Sequence, residues 1–117
     1  MNRPPTAPLP EPSLIPLEGW HCTHVYYELD RAILSTMDAQ AVSAGRDALG
    51  SIISGSIEDA PERVQPSIVS GHKADIGLML MDPCPLKIDR LHQAVLQSPL
   101  GQALTPTYSF ISVSEIS

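Results

Sequence analysis

The chain has 117 residues, of which 43% are hydrophobic and 17% are charged, and its net charge is −6. This composition predicts one globular domain, and the acidity argues against a nucleic-acid partner, which would select a basic face. There is no apolar run of about 18 residues and no basic region followed by an apolar segment, so neither a membrane span nor a secretory signal is predicted.

The cysteines predict the redox compartment of this domain, and the prolines predict a disordered segment before it. Cys22 and Cys84 are too few for a disulfide framework, so we expect free thiols in a reducing cytoplasm, although one disulfide between them stays compatible with the sequence. Residues 1–16 hold six of the twelve prolines, which block helix and ladder hydrogen bonds, so a disordered tail is predicted there. Within that tail, Pro5 and Pro8 also fit the spacing of a PxxP ligand.

Aromatic and β-branched residues over 20–29 predict a first strand. Trp20, Cys22, His24 and Tyr26 then share one face, and His21, Thr23, Val25 and Tyr27 share the other, so His21 and His24 are not expected to chelate one metal ion. Either Asp30 or Asp38 is suited to cap a following helix. Apolar and small residues at helical spacing predict that helix over 39–54, followed by an acidic connector over 57–63.

A hairpin is predicted next, with strands over 66–70 and 74–81 joined by a polar turn. The second strand carries Ile76, Leu78 and Leu80 on one face and Gly77, Met79 and Met81 on the other. Apolar or small residues on both faces are typical of a central strand. Within the turn, we expect Asp75 to form an ion pair with Lys73 or a side-chain hydrogen bond to the backbone.

Pro85 suits the first turn of a second helix, which Pro99 ends or bends. His92 is predicted to be exposed on the polar face of this helix. A short turn over 100–104 then leads to an alternating strand over 107–116, in which Tyr108 and Phe110 share a side.

The order β-α-β-β-α-β predicts an α+β, ferredoxin-like domain over 17–117, with a four-stranded antiparallel sheet and two helices on one face. Because the strands are apolar on both faces, the second face is expected to bury against a second copy or a missing half. At about 25 cal/mol per Å², a few hundred Å² left exposed would forgo several kcal/mol.

The sequence shows no catalytic constellation. The four histidines lack metal-binding spacing, and there is no nucleophile elbow, P-loop or dinucleotide fingerprint; the histidines are His21, His24, His72 and His92. We therefore predict no catalytic residue and no metal ligand within the chain, and the sequence identifies no cofactor-binding residue. The tyrosines Tyr26, Tyr27 and Tyr108 are expected to be half-buried in the sheet, where they are able to border a ligand.

Three stretches together resemble the chlorite dismutase family, and most of all its coproheme decarboxylase branch. They are 17–20 with Cys22 and His24, then 68–80, and finally 108–117. The match covers 17–117 and corresponds to the N-terminal half of that family. At Asp30-Arg31 the sequence departs from its relatives, which tend to place an aromatic residue after the aspartate.

The resemblance implies half of a dimeric α+β barrel, in which two ferredoxin-like halves pack their sheets together and subunits usually form pentamers. It also implies that haem or coproheme iron, the reactive tyrosine and the distal residue belong to the C-terminal half, so this chain alone is not expected to bind the porphyrin. The expected function is the scaffold half of a protein that decarboxylates iron coproporphyrin to haem. The alternative is a stand-alone ferredoxin-like module for assembly or small-ligand binding, without catalysis.

Overall fold

The computed structural model describes residues 19–71 and 73–114. In chain order the elements are β1 His21–Leu29, α1 Arg31–Ser35, α2 Ala39–Ile53, β2 Arg63–Ile68, β3 Ile76–Asp82, α3 Pro85–Gln97, a 3-10 turn Gly101–Ala103 and β4 Leu104–Val113. All neighbouring strands are antiparallel, in the order β2-β3-β1-β4. The predicted α+β ferredoxin-like architecture is therefore confirmed, and β3 lies inside the sheet as expected.

The core lies between the sheet and the two longer helices. One face of the sheet meets α2 and α3 through a single cluster of buried residues: Val25, Tyr27, Ile52, Leu78, Leu80, Ile88, Leu91, Val95 and Leu104. Leu80 in β3 and Leu91 in α3 are completely buried. Alternation in the strands and a three-to-four-residue stripe in the helices bring these side chains together.

Both candidate capping aspartates are used, because the chain forms two consecutive helices where one was predicted. Asp30 Oδ1 accepts a hydrogen bond from the amide of Ile33 at 3.1 Å and begins the short α1. Asp38 Oδ1 accepts from the amide of Ala41 at 2.7 Å and begins α2. Each carboxylate satisfies one of the amides that a helix leaves without a partner in its first turn.

The predicted bounds of two strands are wrong. The strand predicted over 66–70 lies at Arg63–Ile68, where Pro66 is accommodated because β2 is an edge strand. The last strand begins at Leu104 rather than at 107. A bulge at Thr107, whose hydroxyl donates to the carbonyl of Tyr26 at 3.3 Å, allows Leu104 to enter the core while Tyr108 lies on the opposite face.

Two buried or half-buried carboxylates hold the ends of β3. Asp82 is 3% exposed, and it accepts hydrogen bonds from the amides of Glu62 at 3.0 Å and Cys84 at 2.7 Å. At the other end, Asp75 accepts from the amide of Leu29 at 2.8 Å. Asp75 therefore accepts a hydrogen bond from the backbone, as predicted, but from the end of β1 rather than within the turn.

Cys22 and Cys84 are free thiols, as predicted. None of the helices in the described part of the chain is long and apolar enough to cross a membrane. The proposed tail over 1–16, the turn residue His72 and the end of the last predicted strand lie outside the described residues.

The turn that leads from α3 into β4 requires a glycine. A Cβ added at Gly101 would meet the carbonyl group of Leu96 and, at 2.5 Å, the carbonyl oxygen of Val95. These are backbone atoms, which do not move aside as a flexible side chain does. In contrast, a Cβ at Gly50 in α2 would meet nothing within 4 Å.

We expect Gly101→Ala to lower the free energy of unfolding by about 3 kcal/mol, because the methyl group forces the backbone of the turn apart. The matched substitution Gly50→Ala is expected to raise it by about 0.5–1 kcal/mol, since alanine has the higher helix propensity. Urea unfolding of both variants measures the difference. Equal effects of the two substitutions would contradict this account of the turn.

Candidate functional site

The sheet surface opposite α2 and α3, here called the far face, carries the candidate site. Alternate residues of all four strands contribute to it: Cys22, His24, Tyr26, Arg63, Gln65, Ser67, Gly77, Met79, Met81, Tyr108 and Phe110. Neither long helix covers this surface. The prediction that His24 and His21 point to opposite faces agrees with this register, because His21 lies on the helix side.

Aromatic rings form a ladder across β1 and β4 on the far face. Tyr26 stacks on Tyr108 with a centroid distance of 4.6 Å, and His24 stacks on Phe110 at 4.9 Å. The two rings of β4 are 6.3 Å apart along their own strand. Such cross-strand pairs hold one another in place, so the ladder is a pre-ordered, largely apolar surface.

Gly77 in β3 makes room for one end of this ladder. A Cβ at this position would lie 2.9 Å from the ring of Tyr26 and 2.8 Å from the hydroxyl of Ser67. The tyrosine ring therefore lies against the bare backbone of β3. Exposed fractions of 45% for Tyr108 and 51% for Phe110 show that the ladder remains open on the side away from the sheet.

The polar groups of the far face do not form a catalytic arrangement. Cys22 Sγ is 4.0 Å from His24 Nδ1, the outer limit for a hydrogen bond to sulfur. Among residues 19–71 and 73–114, no three or more histidine, cysteine or acidic side chains are grouped so as to hold a metal ion. An ordered apolar surface with one imidazole is suited to docking rather than to proton transfer.

A polar pair of the buried Tyr27 and the half-buried His92 joins the sheet to α3 on the helix side. The hydroxyl of Tyr27 and Nδ1 of His92 are 2.7 Å apart. Burial raises the pKa of Tyr27 and lowers the pKa of His92, although the charge of Asp89 partly opposes the second shift. The prediction that His92 is simply exposed is wrong, and Tyr27 is 1% exposed rather than half-buried.

This pair was missed because His92 lies at the margin of the apolar stripe of α3. Ile88, Leu91 and Val95 mark that stripe, and His92 is four residues after the first of them and three before the last. Positions with this spacing lie on the same side of a helix. That spacing was the signal in the sequence that His92 would approach the sheet.

Three clefts of the described surface differ in size or charge from what a porphyrin requires. The cleft beside His24 and Met79 has a volume of about 190 Å³, and a groove between α3 and the strands β1 and β4 has about 230 Å³. Both are smaller than the roughly 300–1,000 Å³ of typical ligand sites. A third cleft of about 520 Å³ is lined by three carboxylates, Glu28, Asp30 and Asp75, and by one cation, Arg31, so its net negative charge would repel propionate groups. These clefts do not fit a porphyrin.

The Tyr27–His92 pair predicts a specific pH dependence of stability. The ordinary pKa of histidine is 6.5, and burial holds that of His92 lower in the folded protein. Protonation therefore favours the unfolded chain, and the free energy of unfolding should fall as the pH decreases through 6.5 toward the lowered value. In urea unfolding measured from about pH 8 to pH 5, His92→Gln should reduce the pH dependence of the free energy of unfolding.

Asp89→Asn serves as the companion variant. Because the charge of Asp89 raises the pKa of His92, its removal should lower that pKa further and steepen the loss of stability with acid. A His92→Gln profile parallel to that of the unmodified protein would contradict the assignment.

No family model matches the sequence. The fold is similar to that of a haem-binding protein from Thermus thermophilus, with a TM-score of 0.73, 27% identity, and coverage of 86% of this chain and 42% of that chain. Two mutant chlorite dismutases from Candidatus Nitrospira defluvii are also similar in fold. The first has a TM-score of 0.69, 17% identity, and coverage of 86% of this chain and 42% of that chain. The second has a TM-score of 0.71, 14% identity, and coverage of 87% of this chain and 42% of that chain. The chain therefore has a chlorite dismutase-like fold and spans less than half the length of these proteins.

Proposed function

We propose that this chain is the scaffold half of a chlorite dismutase-like haem protein and that its far face packs against a second ferredoxin-like half. The observation that carries the proposal is the uncovered aromatic ladder, with Tyr108 and Phe110 about half exposed. The length comparison supports it, because the similar proteins contain more than twice the matched portion.

The physical argument is the cost of leaving this face in water. Burial of apolar surface contributes about 25 cal/mol per Å², so covering a few hundred Å² favours association by several kcal/mol. Because Tyr26, His24 and their stacking partners are already ordered, little side-chain entropy is lost when a second sheet docks. The far face thus has the properties of one side of a hydrophobic core between two packed sheets.

The porphyrin is assigned to the second half in this proposal. The three clefts described above do not fit it, whereas the solved protein from Thermus is described as haem-binding and is more than twice as long as the matched part. In the complete protein, the role of this chain would be to provide a rigid wall behind the haem-carrying half.

The finer proposal is a coproheme decarboxylase-like protein, which would convert iron coproporphyrin to haem in the cytoplasm. It is supported by the sequence resemblance, most of all at 68–80, where β3 presents Gly77 and Met79 on the far face. The stand-alone assembly module is the competing function, and haem binding by a chimera separates the two.

A chimera tests which of the two halves binds the haem. Residues 17–117 would replace the matched portion of the Thermus haem-binding protein, and haemin would be titrated into the chimera and into this chain alone. We expect a saturable Soret band with the chimera, because it contains the second half, and none with this chain. A Soret band of equal strength from the chain alone would assign the haem site to this half and contradict the proposal.

A charged side chain at the centre of the far face should prevent docking of the second half. In the chimera, Met79→Lys is expected to weaken haem binding by about 100-fold or more, because an unpaired ammonium group would be buried between the sheets. In the isolated chain the same substitution should have little effect on urea unfolding, since the lysine can extend into water.

Ile68→Lys is the matched control, because Ile68 is 90% exposed on the outer strand and its register places it on the helix side. It should leave haem binding by the chimera unchanged. Equal losses in the two variants, or no loss in either, would count against the far face as the docking surface.

A further inference from the structure

The described part of the chain begins at the end of the two strands that carry the aromatic ladder. The amide of Ser114 donates a hydrogen bond to the carbonyl of Trp20 at 2.7 Å, and the amide of Trp20 donates to Ser114 Oγ at 2.8 Å. These bonds continue the pairing of β1 with β4 by one residue. Gly19 has a φ of 80°, a left-handed conformation typical of turns. The residues before Gly19 are therefore attached close to the ladder, at a position where the chain is able to turn.

The sequence before Gly19 has the composition of a segment that binds aromatic surfaces. Residues 1–16 contain six prolines, and the only charged residue between positions 4 and 17 is Glu11. Proline-rich sequences favour the polyproline II helix, which has three residues per turn. With that period, two of the three edges of such a helix carry no charge, namely positions 4, 7, 10, 13 and 16 and positions 6, 9, 12 and 15.

The aromatic ladder matches such a segment in chemistry and in length. Proline-rich segments dock on surfaces lined by aromatic rings, and their fixed backbone loses little entropy on binding. Tyr108 and Phe110 are stacked and about half exposed, so their rings are ordered and accessible. At about 3.3 Å per residue, positions 20–26 of the first strand span about 20 Å, which a polyproline II helix covers with about seven residues. The 18 residues before Gly19 suffice for both a turn and this contact.

We propose that residues 4–17, here called the proline segment, fold back at Gly19 and bind the aromatic ladder of the same chain. Covalent attachment gives the segment an effective concentration on the order of millimolar at the ladder, so this segment has an advantage over a free peptide of the same affinity. The contact covers the rings that the second half would cover. The proline segment and the second half therefore compete for the far face. The contact itself is independent of the proposed function, whereas the competition rests on it.

Nuclear Overhauser contacts in the full 117-residue chain test the proposal. We expect contacts between proline ring protons of the segment and the ring protons of Tyr108 and Phe110. In a mixture of labelled and unlabelled chains, no such contact should arise between two copies. Phe110→Ser should abolish the contacts to Tyr108 and shift the amide resonances of the segment, because half of the exposed aromatic surface of β4 is lost.

Ile111→Ser is the matched control, because Ile111 is the next residue of the same strand and is 72% exposed on the other face. It should leave the contacts to Tyr108 unchanged, and circular dichroism establishes that both variants are folded. The absence of contacts in the unmodified chain would overturn the proposal. Contacts only between copies, or equal losses in the two variants, would also overturn it.

A chimera that begins at residue 1 tests the competition separately. If the second half covers the far face, the contacts seen in the isolated chain should disappear in this chimera. Contacts that persist there would overturn the competition and count against far-face docking, while the contact within the isolated chain would stand. Failure of the proline segment to bind and failure of the proposed function are thus distinguishable.

Discussion

One-sided burial of the sheet is the constraint on which the rest of the structure depends. In the central strands β1 and β3, one set of alternate side chains, including Val25, Tyr27, Leu78 and Leu80, fills the layer beneath α2 and α3. The other set forms the far face, which residues 19–71 and 73–114 leave uncovered. Because the period of a strand is two, the same residues cannot serve both layers, and an apolar second face requires something else to cover it.

The far face explains why the described residues of a chain with a chlorite dismutase-like fold show no catalytic arrangement. Its ordered features are stacked rings, thioethers and a glycine that admits Tyr26, and each serves packing. The acidic cleft, by contrast, uses Asp30 and Asp75 to satisfy backbone amides. These two carboxylates are therefore committed to the architecture, as the proposed scaffold role would require.

The fold could be predicted because the strongest signals lie in its centre. The alternation over 76–81 and the stripe through Ile88, Leu91 and Val95 each reflect a buried layer, and both predictions agree with the structure.

The bounds of the edge strands are predicted less accurately. Pro66 is tolerated in β2 only because its position is at an edge, and the bulge at Thr107 depends on pairing with Tyr26, which is 81 positions away along the chain. The Tyr27–His92 pair was not predicted for the same reason: its two members are 65 positions apart, and local pattern does not show which polar side chain will find a partner on a different element.

The hydrogen bonds of Asp82 determine how this part of the molecule unfolds locally. Its two oxygens hold the amide just before β2 and the amide at the start of α3, so one buried carboxylate ties a short outer strand to a helix of the other layer. An outer strand of six residues would ordinarily fray by itself, at little free-energy cost. Here fraying at Arg63 disturbs the carboxylate that also binds the amide of Cys84, the N-cap residue of α3, so strand and helix should detach together, as one cooperative unit.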